Sequence, residues 1–349
     1  MSSSRPTIRD VAALAGVSVS TVSRVLNDFE FVDAGTRERV LDATQTLGYA
    51  RDETARAMRT GRSRAVGFVV DDFANPLFSA HAKGADELLR ADGYALILAN
   101  SDKDLAREAE AVTALRQRRV DALLIALVSE TDCDSSKLLN GFRSVVLLDR
   151  EIHGFTGDAV WPDHGAGLRQ AIDHLVSLGH DRIALVAGKT DQRGSRVRIE
   201  SYREHVHALG LPWDPALVQT GLADRDTGYS ALMKLFQLER PPSAVIAGSN
   251  RLFVGVAHAV RDRGLRIPQD LSVITCDDVD ASALHEPPID VVERDAAGMG
   301  RAAAELALTR LADPSAPPRK RMISTTFLAR GSSAPYGDSS SPGSEGSSS

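Results

Sequence analysis

TIRDVAALAGVSVSTVSRVLN, residues 7–27, carries two short helical periods broken by a glycine. Val11, Leu14 and Ala15 recur at the spacing of one helix face. Thr7 and Asp10 stand at the spacing of a capping box, in which a hydroxyl and a carboxylate satisfy the free amides of a first turn. Gly16 and Val17 interrupt the face, and Ser18 offers an N-cap for a second helix over Val19–Leu26. Two short helices joined by a tight glycine turn make a helix-turn-helix, the unit that lays its second helix in the major groove of DNA. The leading end of that helix must carry short or β-branched residues to enter the groove without collision, and Val19 and Ser20 meet the need. Arg24, one turn on, is expected to reach the O6 and N7 acceptors of a guanine. A third block, with Thr36 as its N-cap, runs to Leu47, so residues 1–48 read as an all-α head.

Outward from the head, residues 49–63 read as a hinge and linker. Arg51–Thr60 has good helix formers but few core anchors, so it is only marginally helical on its own. The whole chain has a net charge of −6, which looks wrong for a DNA binder. Yet Arg51, Arg56, Arg59, Arg62 and Arg64 cluster against only Asp52 and Glu53, a local basic stretch suited to phosphate.

After Arg64 the pattern changes to apolar strands alternating with amphipathic helices, the mark of a doubly wound α/β sheet. The strands are expected at Ala65–Val70, Tyr94–Ala99, Ala122–Val128, Val145–Leu148, Ile183–Ala187, Ala244–Ala247 and Ser272–Thr275. Ligands of such sheets sit at the carboxyl ends of strands, so the polar residues just after each run are candidate pocket residues. They are Asp71 and Asp72 with Phe73, Asn75 and Phe78 behind them, Asp149 with Arg150, and Asp277 with Asp278. Carboxylates and guanidinium groups grip vicinal hydroxyls through two bonds in one plane, and the aromatic rings can stack on a sugar or base. From Ser332 to Ser349 the chain is Ser, Gly and Pro, and a disordered tail is expected.

At 349 residues, 43% apolar and 25% charged, the composition is that of two or three globular domains. No apolar run approaches the roughly 18 residues that span a bilayer, and Met1–Asp10 lacks the apolar core of a signal peptide. A cytoplasmic protein with no membrane partner is therefore expected. Cys133 and Cys276 form no metal or disulfide spacing and read as buried thiols. The pairs His174/His180 and His205/His207 match no metal-ligand pattern, the first strand is followed by DDFANP rather than a glycine-rich phosphate loop, and no catalytic constellation stands near a strand end. Neither an enzyme nor a cofactor is expected.

TIRDVAALAGVSVSTVSRVLN, followed by TRERVLDATQTLGY, closely resembles the head of the lactose-repressor (LacI/GalR) family, and the likeness continues to about Ser332. The resemblance implies a helix-turn-helix head before an α/β, two-lobed sensor like the periplasmic binding proteins. The sensor would span 64–331, with an N-lobe of about 64–162 and 295–322 and a C-lobe of about 163–292 and 323–331. It implies a homodimer on palindromic double-stranded DNA, acting as a repressor whose hold is set by a small-molecule effector, a sugar or sugar derivative. By it Val19 and Ser20 face base edges, Thr21, Ser23 and Asn27 meet phosphates, and Thr7 joins the DNA-facing set. Met58 takes the position of the apolar wedge that a hinge helix drives into the minor groove. Effector-binding roles pass to Phe78, Arg150, Arg198, Ser249 and Asp277.

The chain departs from the pattern in several places. Met58 replaces a usual leucine, and the proline common near Arg51 is missing. Ser249-Asn250 stands for Asn-Asp, and Glu293-Arg294-Asp295 replaces a segment that ends in Gln-Pro. Arg294 could thereby meet an acidic ligand, or be neutralised by its own neighbours. A sugar-binding transport protein would share the sensor fold, but it would need an export signal and have no use for Thr7–Thr60.

Overall fold

The computed structural model describes residues 6–26, 29, 31–49, 61–132 and 134–337, and the chain divides into two compact units at Ser63/Arg64. Asn27, Met58, Cys133 and most of the hinge lie outside the described residues.

The head is three helices, α1 (Ile8–Ala15), α2 (Val19–Leu26) and α3 (Ala34–Leu47). The Asp10 carboxylate reaches back to the Thr7 amide and hydroxyl, both at 2.7 Å, and the first of these holds the Asp10 pKa below the usual carboxylate range. Gly16 ends α1 in the left-handed region (φ 66°), where a side chain would be strained. Ser18 Oγ accepts from the Thr21 amide at 3.1 Å and starts α2. Helix α3 begins two residues before the expected cap, because Asp33 rather than Thr36 is the acceptor, taking the Thr36 amide at 3.0 Å. Val11, Ala12, Ala15, Val22, Val25, Val40 and Ala43 close the small core.

The larger unit runs β1 (Ala65–Val70), α4 (Pro76–Ala91), β2 (Ala95–Asn100), α5 (Leu105–Gln117), β3 (Ala122–Ile125), α6 (Ser135–Leu138), β4 (Ser144–Leu148), β5 (Asp158–Pro162), α7 (His164–Ser177), β6 (Ile183–Ala187), α8 (Arg193–Ala208), β7 (Val218–Thr220), α9 (Arg225–Leu235), β8 (Ala244–Ala247), α10 (Asn250–Asp262), β9 (Ser272–Cys276), α11 (Asp280–Ala283), β10 (Asp290–Arg294), α12 (Ala296–Ala312), β11 (Lys320–Ile323) and β12 (Thr325–Leu328). Two six-stranded sheets result. The N-lobe sheet is parallel in the order β11-β5-β4-β3-β1-β2. The C-lobe sheet, in the order β12-β10-β9-β8-β6-β7, is parallel except for the last strand, β12, which runs antiparallel to β10. Each sheet has an apolar cluster on both faces, which is why its strands read as continuous hydrophobic runs.

The strands beyond those expected, β5, β7, β10, β11 and β12, are short, and several carry polar residues, as in DVVER and KRMI, that hide their pairing. The chain passes between the lobes three times, at 162–164, 294–296 and 323–325. In the N-lobe, α4 and α12 meet at Gly84 and Gly300, where an added Cβ would fall 1.9 Å from a carbonyl oxygen of the facing helix.

The expectation that order ends at Ser332 is corrected. Ser332 is fully buried, its hydroxyl donating to Val273 O at 2.5 Å and accepting from Asp290 N at 2.7 Å. The Tyr336 amide donates to Leu178 O, and its ring stacks on His180 at 5.5 Å. Polar composition misled here because the serines are used as hydrogen-bond bridges on the C-lobe.

Candidate functional site

In the head, burial of Val22 and Val25 turns the opposite face of α2 outward. Val19, Ser20 and Arg24 are exposed on that face, with Thr21 and Ser23 half-buried beside them. Ser18 Oγ lies 2.8 Å from both the Ser20 and the Thr21 hydroxyls, which orders the leading edge of the helix. Thr7 is exposed at the start of α1. The head thus presents a short, polar helix end followed by a long cation, as major-groove entry demands.

In the larger unit, the strand ends of the two lobes face each other across a cavity of about 260 Å³. Seven of the expected effector residues line it: Asn75, Phe78, Arg150, Arg198, Ser249, Asp277 and Arg294. Asp72 and Phe73 do not. Asp72 is taken up by an ion pair with Arg251, and Phe73 is 47% exposed. Asp71, Lys103, Asp149, Lys189, Asn250 and Arg251 also line the cavity. Asp71 and Asp149 are among the strand-end candidates of the sequence, and Lys103 and Lys189 follow β2 and β6 at their carboxyl ends, so the same rule could have assigned both lysines.

The floor is a chain of buried charges. Arg294, its side chain 5% exposed, places Nη1 3.1 Å from Asp149 Oδ2 and Nε 2.9 Å from Asp277 Oδ1. The Nε approach is a charge contact rather than an aligned hydrogen bond. The other Asp149 oxygen is 2.8 Å from His164 Nε2, which donates, since an ionised carboxylate can only accept. Burial alone would raise the Asp149 carboxyl, but His164, Arg294 and Arg150 outweigh it and hold it well below the usual carboxylate range. Burial, then repulsion from Arg198, pushes His164 down to about 4, so the ring is neutral. Arg150 is anchored by Leu127 O at 2.7 Å and Asp149 O at 2.9 Å, with Asp71 at 3.4 Å. Burial raises the Asp71 pKa more than Arg150 and Lys103 lower it. Asp149 and Asp277 both sit in the left-handed region, at φ 51° and 71°, matched strain at corresponding strand ends of the two lobes.

Direct bonds join the lobes around this floor. Asn250 Nδ2 donates to Asn75 Oδ1 at 2.9 Å, Lys103 Nζ to Ala223 O at 3.3 Å and Gln192 Nε2 to Val128 O at 3.3 Å. Glu130 is 6% exposed and accepts the Arg193 amide at the start of α8 with both oxygens, at 2.9 and 2.8 Å, and Arg196 Nη1 at 3.0 Å. The cleft is therefore closed. Among the described residues no cluster of His, Cys, Asp and Glu is arranged to hold a metal, and no helix is long and apolar enough to cross a membrane.

A helix-turn-helix head and a two-lobed cleft define a DNA-binding regulator with a small-molecule sensor. The description of bacterial regulatory proteins of the lacI family matches residues 7–52, and that of a periplasmic binding protein-like domain matches residues 172–333. The ribose operon repressor of Escherichia coli (strain K12) is 30% identical over 328 residues, 93% of this chain and 99% of that protein. A solved complex of the transcriptional regulator CelR with cellobiose is 30% identical, with a TM-score of 0.72, and is covered over its whole length by 94% of this chain. The lac repressor dimer bound to operator and the anti-inducer ONPF shares the fold, at 23% identity and a TM-score of 0.83, with 95% of this chain and 100% of that one covered. The chain belongs to the LacI family of bacterial transcriptional regulators, which are not enzymes.

Proposed function

We infer that this protein is a cytoplasmic repressor that binds a palindromic operator in double-stranded DNA as a homodimer and releases or tightens it according to a carbohydrate effector in the interlobe cleft. The observation that carries the reading is the pairing of an exposed, groove-sized helix end at Val19, Ser20 and Arg24 with a cleft whose floor is built from buried ionic groups. Val19 and Ser20 read base edges and Arg24 reads a guanine, while Thr7, Thr21, Ser23 and Asn27 fix the register on phosphates. Met58 acts as the minor-groove wedge. In the cleft, Asn75, Phe78, Arg150, Arg198, Ser249, Asp277 and Arg294 surround the effector. Asp72 is assigned instead to the Arg251 bridge between the lobes, and Phe73 is left without a ligand role.

The CelR complex, whose ligand is cellobiose, supports a carbohydrate. An effector that fills the cleft biases the angle between the lobes. The chain enters β1 of the N-lobe directly after residues 49–63, so a change of lobe angle alters the spacing of the two hinge segments in a dimer and hence the hold on DNA. Half-sites should lie about 10 base pairs apart, roughly one helical turn. A gel shift against twofold-symmetric duplexes at rising salt tests the reading. Counterion release predicts a steep loss of affinity. Absence of preference for every such duplex, with and without metabolites, would refute it.

A further inference from the structure

We propose that Glu130 is a latch between the lobes, an N-lobe carboxylate that serves as the missing N-cap of the C-lobe helix α8 and keeps the cleft closed before any effector enters. The inference concerns the cleft without a ligand and does not depend on which effector fills it. In the larger unit, every described helix longer than four residues, α8 excepted, is capped by the residue that precedes it. Asn75, Asp104, Asp163, Asp224, Ser249 and Asp295 each accept a first-turn amide of their own helix. Helix α8 is preceded by Gln192, whose side chain makes no such bond, and its first turn holds no acidic residue. Its 16 residues of aligned peptide dipoles leave partial positive charge and free amides at that end.

The N-lobe supplies what α8 lacks. Glu130 stands in the loop after β3 with its side chain 2% exposed. Both of its oxygens take the Arg193 amide, at 2.9 and 2.8 Å, and Arg196 Nη1 donates to it at 3.0 Å. The Arg193 side chain is gripped as well. Its guanidinium lies 4.3 Å from the centroid of the Trp161 ring, and the indole N–H fixes that ring on the N-lobe by donating to Arg150 O at 2.8 Å. A cation over an indole face is attracted by the ring's quadrupole. Arg193 belongs to the C-lobe, yet the N-lobe holds it at its backbone and at its tip. Glu130, Trp161 and Arg193 stand outside the set of residues that line the cavity, whereas the bonds from Asn250 to Asn75 and from Lys103 to Ala223 lie on its wall. A ligand that displaces the wall bonds therefore leaves the Glu130 clasp in place. Opening of the lobes, by contrast, uncaps α8. Because α8 carries Ser195 and Arg198 into the cavity, the clasp also sets where those side chains stand.

The test uses the full chain without ligand, with Cys133→Ser and Cys276→Ser removing both native thiols and Ser249→Cys placing one on the cavity wall. A maleimide too bulky for the closed cleft reacts with that thiol only when the lobes part, so its rate reads the open population. A hydrogen bond to a charged group shifts a two-state ratio by about tenfold or more, so Glu130→Ala should speed labelling by about that factor. Glu130→Gln, which keeps the volume and loses the charge, should fall between the parent and Glu130→Ala, and it remains informative where the alanine variant does not fold. Small-angle scattering should show the radius of gyration rising in the same order. Hydrogen exchange along α8 separates a latch from a simple cap. A labelling rate equal to the parent's in either folded variant would overturn the proposal. So would faster exchange confined to the start of α8 with labelling and radius unchanged, which would leave Glu130 as a helix cap and nothing more.

Discussion

Replacing Arg294 by methionine is the sharpest perturbation of the cleft. The side chain is 5% exposed and bridges Asp149 at 3.1 Å and Asp277 at 2.9 Å, so methionine fills similar volume and leaves two buried carboxylates without their shared cation. Removing one partner of a buried pair costs about 3–5 kcal/mol, most of it the penalty of the uncompensated charge left behind. For a unit of this size about 1 kcal/mol moves the melting point by roughly 2–4 °C, so a fall of about 10 °C is expected at pH 7.

The effect has a pH signature. In the parent protein the Asp149 pKa is depressed, so its contribution is present above the unfolded carboxyl value and fades as pH falls through the folded one. The variant has lost that stabilisation, so its deficit should be largest near neutrality and shrink towards pH 4, as the orphaned carboxylates take up protons. The triple variant Arg294→Met, Asp149→Asn, Asp277→Asn removes the charges together and should recover most of the loss. Scanning fluorimetry of the three proteins across pH checks all three statements. A fall under about 2 °C at pH 7, or a triple variant no better than the single, would refute the view that Arg294 is the keystone of the floor.

Other consequences are open to direct measurement. Arg24→Ala should reduce discrimination between operator and scrambled DNA by about 1–3 kcal/mol in competition gel shifts, and an unchanged ratio would remove Arg24 from base reading. Met58→Gly should weaken operator binding while leaving effector affinity of the sensor unchanged, and unaltered operator affinity would dismiss the wedge. Asp277→Ala should abolish the effector response with DNA binding retained; a normal response in a reporter assay would count against it. Two buried histidines set an acid limit: burial, with help from Arg294, pushes His81 down to about 3, and His164 stands at about 4. Both folded values lie below the ordinary 6.5, so stability is full above that value and declines as pH falls from it towards 4, with proton uptake on unfolding. His81→Phe should flatten that decline in urea titrations at stepped pH, and an identical slope would exclude His81 as a contributor.

Local chemistry made the head legible. The Thr7/Asp10 spacing, the Gly16 turn and the apolar faces of α1 and α2 act within a few residues of one another, so their consequence is written in the order of the residues. The same holds for the long strands and for the groups just after them, so that Asn75, Phe78, Arg150 and Asp277 line the cleft as their places predict, whereas Arg198, Ser249 and Arg294 were expected there only from the family pattern. What failed depended on partners far along the chain. Asp72 looks like a ligand from DDFANP, but an arginine 179 residues away claims it. Arg294 looks free for an acidic ligand from GluArgAsp, but Asp149, 145 residues earlier, and Asp277 neutralise it, while its sequence neighbours Glu293 and Asp295 do not. Ser332 looks disordered until Val273 and Asp290 are seen to hold it. The order of residues therefore determined the elements, the fold and the DNA-reading edge, because helix caps and hydrophobic periods are short-range. Only the tertiary structure decided which cleft charges are compensated, because a charge is paired or left alone by what the two lobes bring within a few ångströms of it.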